Sequence, residues 1–154
     1  MAVLFPKDTI TIYNKISDRP LAFKRTVVAK CNWQGKLRMV TTKDGGFQEG
    51  TKTTIFLNKR DFVSDDGTIL TFIPEEEWGN QDDYENKFTL RDGDRIVKGV
   101  SDLEINGNEK GHMILDLEQK YKNRIITIKF IQLDFPNHIQ VGETLWFICV
   151  LKLI

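Results

Sequence analysis

The 154-residue sequence is poor in the side chains on which most enzymes and metal proteins depend, with only two cysteines, Cys31 and Cys149, and two histidines, His112 and His138. Two cysteines this far apart lack the spacing of a disulfide framework or a zinc knuckle, so both are expected to be small buried hydrophobes. Neither histidine lies in an H-E-x-x-H, G-x-S-x-G or comparable setting, so no activated nucleophile or zinc site is expected. Nor is there a charge excess: 22 basic residues meet 22 acidic ones. A dedicated nucleic-acid binder releases counterions through a clear basic surplus, and this chain has none. Long apolar runs are also missing. The longest, Leu145 to Ile154, would reach only about 15 Å as a helix, half a bilayer core. The N-terminus has no basic n-region, and Pro6 and Lys7 cut its apolar run short, so the expectation is a cytoplasmic start and no secretory signal or membrane anchor.

What the sequence does contain is alternation at period two. Thr9-Ile10-Thr11-Ile12-Tyr13 sends isoleucines one way and threonines the other, the mark of a half-buried strand. Val27, Ala29, Cys31 and Trp33 share one face of the next run, and Gln34-Gly35 reads as a tight turn into Lys36 to Thr41. Further strands are expected at Thr53 to Leu57, Ile69 to Ile73, Arg95 to Val100, Ser101 to Ile105, Arg124 to Leu133, Ile139 to Val141 and Leu145 to Leu153. Many short strands broken by Gly, Asp and Asn turns point to a mainly β fold, a small antiparallel β-barrel or sandwich with at most one short helix. The helix candidate carries Ile114, Leu117 and Tyr121 at i, i+3, i+7, bounded by Gly111 and Asn123, although Met113, Leu115 and Leu117 also alternate. No linker or repeat interrupts residues 1–154, so one domain is expected.

Three loops stand out, a glycine-rich one at 43–52, one at 58–68 that contains the turn Asp65-Asp66-Gly67, and a long acidic one at 74–87. Asp92-Gly93-Asp94 lacks the alternating ligands of an EF-hand loop and reads as a β-turn whose carboxylates accept backbone hydrogen bonds. The acidic loop holds Glu75, Glu76, Glu77, Asp82, Asp83 and Glu85 without a base before Lys87. The segment from Arg19 to Arg38 holds Arg19, Lys24, Arg25, Lys30, Lys36 and Arg38 without an acid. These are either two solvated faces or two complementary faces of a subunit boundary. A glycosidase pair within the acidic loop is disfavoured, because nothing there would shift a carboxyl pKa.

Taken in order, several segments carry a resemblance: Ile10-Thr11-Ile12-Tyr13-Asn14, Arg25-Thr26-Val27-Val28, Asn32-Trp33-Gln34-Gly35-Lys36, Thr54-Ile55-Phe56-Leu57, Phe88 through Gly99, Leu117 to Tyr121 with Ile126-Thr127-Ile128, and His138 to Gly142. Together, from about Thr9 to Glu143, the chain resembles prophage structural proteins and, more loosely, the head-completion or stopper proteins of the tailed-phage head-tail connector. The resemblance implies a small β-barrel in a homo-oligomeric ring, hexamer or dodecamer, below the phage portal or adaptor protein and above the tail terminator or tail tube. Such a ring closes the DNA channel after packaging and touches passing DNA. It implies localisation in the virion, and in the host cytoplasm during assembly, with no catalytic residues, cofactor, metal or membrane. The loop Lys43, Asp44, Gly45, Gly46, Phe47, Gln48, Glu49 is the candidate channel plug. Arg19, Lys24, Arg25, Lys36 and Arg38, with Glu75, Glu76, Glu77, Asp82 and Asp83, are the candidate subunit-interface charges. The apolar end, 145–153, extends past the family pattern and is either a buried last strand or an assembly edge.

Two alternatives stay open. A tail terminator or other connector ring would share composition and charge. Leu90 to Ile96 also resembles the Leu-x-x-Gly-Asp-x-Ile turn of PDZ modules, which bind peptides, although no carboxylate-binding glycine loop precedes it.

Overall fold

The computed structural model describes residues 7–41, 44, 47–57, 62–122, 124–128, 131–134 and 145–149. The chain is mainly β, as the alternation predicts. Its strands are β1 (Asp8–Asp18), β2 (Leu21–Thr41), β3 (Phe47–Leu57), β4 (Thr71–Phe72), β5 (Lys87–Phe88), β6 (Arg95–Lys98), β7 (Ile125–Thr127), β8 (Ile131–Asp134) and β9 (Leu145–Cys149). Two helices, α1 (Glu75–Trp78) and α2 (Ile114–Lys120), interrupt them. Seven strands form one sheet in the order β7-β6-β1-β2-β3-β9-β8, every pairing in it antiparallel. β4 and β5 pair separately as a short parallel ribbon.

β1 is central in its part of the sheet and is covered on both faces. Ile10 and Ile12 join Val28, Cys31, Ile96, Ile126, Ile128, Phe88 and Leu90 in one apolar cluster. Tyr13 faces the other way, with Phe23, Val97, Ile105, Leu117 and Tyr121. The threonine face, expected to meet water, is instead buried. Thr11 Oγ1 donates to Gly99 O and accepts from Ser101 N, so its hydroxyl is satisfied where solvent is excluded. Tyr13 OH lies 2.6 Å from Ser101 Oγ and 2.8 Å from Leu103 O. These bonds explain why Ser101 to Ile105, read as a strand, is not one. The segment crosses the buried face of β1, held there mainly by side-chain hydrogen bonds, and among the described residues its β-bridge to the sheet is the isolated Phe23–Ile105 pair.

β2 is the main departure from the sequence pattern. It runs 21 residues without the turn expected at Gln34-Gly35, and Gly35 pairs with Thr53 in the middle of a ladder. Cross-strand hydrogen bonding to β3 outweighs the local preference of glycine for turns. The bend comes earlier. Between Ile10/Val28 and Asp8/Cys31, β2 carries one residue more than β1, and Lys30 takes a left-handed φ of 55°. This bulge resets the parity, so that Val28 and Cys31, three residues apart, point into the same cluster. Asp8 holds the corner, its carboxylate accepting from Trp33 N and its carbonyl from Cys31 Sγ. Beyond the bulge β2 pairs with β3. Ile55 and Leu57 of β3 join the same cluster as Ile126 of β7, four places away in strand order, so the sheet curls around that core.

α2 forms where the 3.6-residue spacing predicts it, burying Leu117 with Tyr121 just beyond its end. Asp116 Oδ2 accepts Met113 N at its start. Charges on this helix reach across to other elements: Glu118 to Arg95 at 3.0 Å and Lys120 to Asp102 at 3.3 Å. A second helix, α1, was not expected and lies inside the acidic loop. The apolar end is a paired strand over its described part, since β9 sits between β3 and β8. Residues 139–141 and 150–153, also read as strand, lie outside the described residues.

Candidate assembly surfaces

Asp94, Tyr13 and Cys31 are buried titratable side chains whose hydrogen bonds tie β1 to its neighbouring segments. Asp94, 1% exposed, closes the turn that follows Gly93, whose φ of +90° suits glycine. Its Oδ1 accepts Lys15 N at 3.1 Å, and its Oδ2 accepts Asn14 Nδ2 at 2.8 Å and Arg91 N at 3.1 Å. Arg91 Nε stands 3.6 Å from the same carboxylate, an electrostatic contact longer than a hydrogen bond. Asn14, fully buried, completes the node by donating to Thr89 O and accepting from Thr89 N. Burial pushes the Asp94 carboxyl above its ordinary pKa, outweighing the hydrogen bonds and the Arg91 charge that favour the anion. The turn thus uses its carboxylate as a β-turn acceptor, as its sequence predicts, and adds strand-to-turn bonds that local sequence does not reveal. Cys31 and Tyr13 are each pushed up to about 12 by burial, so thiol and phenol both stay neutral.

The acidic segment is organised by one side chain that the sequence pattern does not single out. Trp78 is 1% exposed, donates Nε1–H to Lys15 O, and packs on Tyr84 with ring centroids 4.6 Å apart. The Arg91 guanidinium lies 5.9 Å from its ring. Anchored in this way, the segment presents Glu75, Glu76, Glu77, Asp82, Asp83 and Glu85 to solvent. The Asp83 carboxylate also accepts Glu85 N and lies 3.8 Å from Lys87 Nζ.

The residues expected to form a basic face are held in different ways where they are described. Arg19 is exposed between β1 and β2. Arg25 is already occupied within the chain, donating to Glu104 Oε1 and Ser101 O at 2.9 Å each. Lys24 Nζ donates to Arg25 O at 3.1 Å. Lys36 and Arg38 lie on β2 opposite Lys52 and Gly50, their side chains outside the description. The expected plug loop is shorter than the glycines suggest, because Phe47, Gln48 and Glu49 already belong to β3, paired with Thr41, Val40 and Met39. Asp44 is an exposed turn residue, while Lys43, Gly45 and Gly46 lie outside the described residues, as does His138. His112 is partly exposed, its Nδ1 2.7 Å from Glu104 O. Among the described residues, no group of three or more His, Cys, Asp or Glu side chains is placed to hold a metal ion, and no helix is long and apolar enough to cross a membrane.

A family model described as "Family of unknown function (DUF6751)" matches residues 5–142, a span that takes in the Asn14–Asp94 node and the acidic segment and stops before β9. No curated protein and no solved structure matches the chain. The chain belongs to that family.

Proposed function

We propose that this family member is a non-enzymatic structural subunit of a tailed-phage head-tail connector, of the head-completion or stopper type, working through contacts with other proteins. The observation that carries the interaction half of this reading is the division of labour among charged groups. Asp94 is committed to holding β1 against the following turn, while six carboxylates between Glu75 and Glu85 are displayed on a segment fixed by Trp78. A rigid base under a charged, solvent-facing segment suits a docking surface, where electrostatic complementarity sets partner choice and register. The virion half rests on the ordered resemblance from Thr9 to Glu143, and the balance of 22 basic and 22 acidic residues supports it. A strongly basic channel lining would hold DNA phosphates, whereas a neutral ring lets them pass.

The subunit assembles into its ring on the portal or adaptor, because such contacts are completed by partners. Light scattering of the free protein, followed by electron microscopy with the portal complex, tests this. A monomer or weak oligomer that forms rings only with the portal is expected. A tight free dimer indifferent to the portal refutes the connector reading, and rings formed only on a tail-tube end reassign the protein as a tail terminator.

A further inference from the structure

Among the described residues, the near half of β2 has an outer edge that the sheet leaves open. Phe23 N donates to Ile105 O at 2.9 Å, and Ala29 N to Val63 O at 2.8 Å, both away from β1. Strand backbone groups alternate in direction, so the N–H and C=O groups of Arg25 and Val27, between these two points, face the same way. No described residue supplies a backbone partner to Arg25 N or Val27 N. β3, the strand that would cover this edge, pairs only from Asn32 onward because the Lys30 bulge turns β2 away. The gap is a cleft of about 200 Å³ lined by Lys24, Arg25, Thr26 and Val27 on the β2 side and by Ser64, Asp65, Asp66 and Thr68 opposite.

We propose that this cleft is a strand-addition slot for an extended segment of a partner protein carrying a basic side chain. Strand addition supplies affinity through main-chain hydrogen bonds, and the walls supply selectivity. The edge offers Arg25 N–H, Val27 N–H and Val27 C=O directly. Arg25 C=O is held by Lys24 Nζ, which an incoming amide can displace. Selectivity for a basic residue follows from which rim charges are already neutralised. Arg25 pairs with Glu104 at 2.9 Å and Lys24 Nζ is turned onto Arg25 O, whereas Asp65 and Asp66 are exposed at the opposite rim, two acids against the one lining cation, Lys24, that no ion pair neutralises among the described residues. Hydrogen bonds from Thr68 hold the Asp66 carboxyl below its ordinary pKa, so it remains an anion. Leu70, 7% exposed, gives the slot an apolar patch beside the rim. Phe23 to Ala29 span about 20 Å of strand, room for three or four added residues between the bonded ends. Asn86, at the end of the acidic segment, also lines the slot, but the strand-addition proposal does not depend on the connector assignment.

Amide hydrogen exchange by NMR on the full chain tests the proposal with three synthetic peptides of about five residues, the three or four that strand rise allows in the slot and one end residue for the rim. All alternate Val and Thr. One ends in Lys, one ends in Glu, and the third is Lys-ended with a central Pro. In the free protein, Arg25 and Val27 amides exchange on the order of 100-fold faster than Thr26 and Val28, which face β1. The Lys-ended peptide slows Arg25 and Val27 selectively. The Glu-ended and Pro-containing peptides bind roughly 10-fold more weakly or worse. Replacing both exposed rim acids, Asp65→Lys with Asp66→Lys, reverses the Lys-over-Glu preference and leaves exchange in β1 unchanged. Protected Arg25 and Val27 amides in the free protein, no selective slowing by the Lys-ended peptide, or equal binding of the Pro-containing peptide each overturn the proposal. Protection that rises with protein concentration alone assigns the slot to a second copy and overturns the partner named here.

Discussion

Between Glu75 and Glu85 six carboxylates face solvent and one tryptophan is buried, whereas between Asp92 and Asp94 the last carboxylate is buried beneath three hydrogen bonds. The two stretches have a similar acidic character in sequence and opposite roles in the fold. In the first, the aromatic ring is the anchor and the charges are what the segment shows. In the second, the carboxyl group itself is the anchor. Both anchors reach the same strand at the same place, since Lys15 donates its N–H to Asp94 and accepts the Trp78 indole N–H. The arrangement ties the displayed acids to the centre of the sheet through one residue of β1, so a load on the acidic segment is passed to the core.

The largest expected effect comes from breaking the buried anchor. Asp94→Ala strands the N–H groups of Lys15, Asn14 and Arg91 away from water and is expected to cost about 3–5 kcal/mol. A fall in the urea midpoint with an unchanged m-value would register it. Asp94→Asn costs less but is still destabilising, because its single carbonyl oxygen cannot accept all three donors.

Trp78→Ala comes next, at about 3 kcal/mol, the low end for a buried aromatic because its segment lies at the surface. Limited proteolysis should then cut between residues 79 and 86 while β1 and β6 stay intact. Asn14→Ala, which removes the bridge to Thr89 without removing the carboxylate, should cost about 2 kcal/mol by chemical denaturation. Weakest of all, Glu75→Gln, Glu76→Gln and Glu77→Gln together should leave stability within about 0.5 kcal/mol, since exposed charges contribute little to folding. The same triple change should weaken docking to a partner ring, measured by co-sedimentation.

The pH response sharpens the contrast. The folded-state pKa of Asp94 is raised above its unfolded value, so the folded protein binds this proton more tightly than the unfolded chain does. Its contribution to stability is full below the unfolded carboxyl pKa of about 3.9 and is lost as pH rises through the higher folded value. The stability gap between wild type and Asp94→Asn should therefore widen as pH falls from neutrality toward about 4, as read from urea titrations at each pH. A gap that narrows would show that the hydrogen bonds outweigh burial.

Local chemistry accounts for which parts of this fold could be read in advance. β1, α2 and the Asp92-Gly93-Asp94 turn were legible because their signals lie within a few residues: β-branched alternation, i, i+3, i+7 spacing, and a glycine between aspartates. The continuity of β2 was not, because Gln34-Gly35 looks like a turn until the ladder to β3 is known. The bulge at Lys30 was hidden for the same reason, since an extra residue on one strand exists only relative to its partner. Trp78 sits in an acidic run with no apolar periodicity around it, and its hydrogen-bond partner Lys15 is 63 positions away. Asn14 and Asp94 are 80 apart. Of the candidate charges, the exposure of the acidic residues follows from their run in sequence. The pairing of Arg25 does not, because it finds Glu104 and Ser101 only once the 101–105 segment has folded across the sheet.

Hydrogen-exchange mass spectrometry of the protein free and mixed with the proposed portal template tests most directly whether fixed anchors hold a surface that other proteins cover. The account predicts that peptides containing Lys15 and Arg91 are strongly protected in both states, while residues 74–86 gain protection only on the template. Rapid exchange around Lys15 and Arg91 in the free protein, or no change in 74–86 on binding, would contradict it.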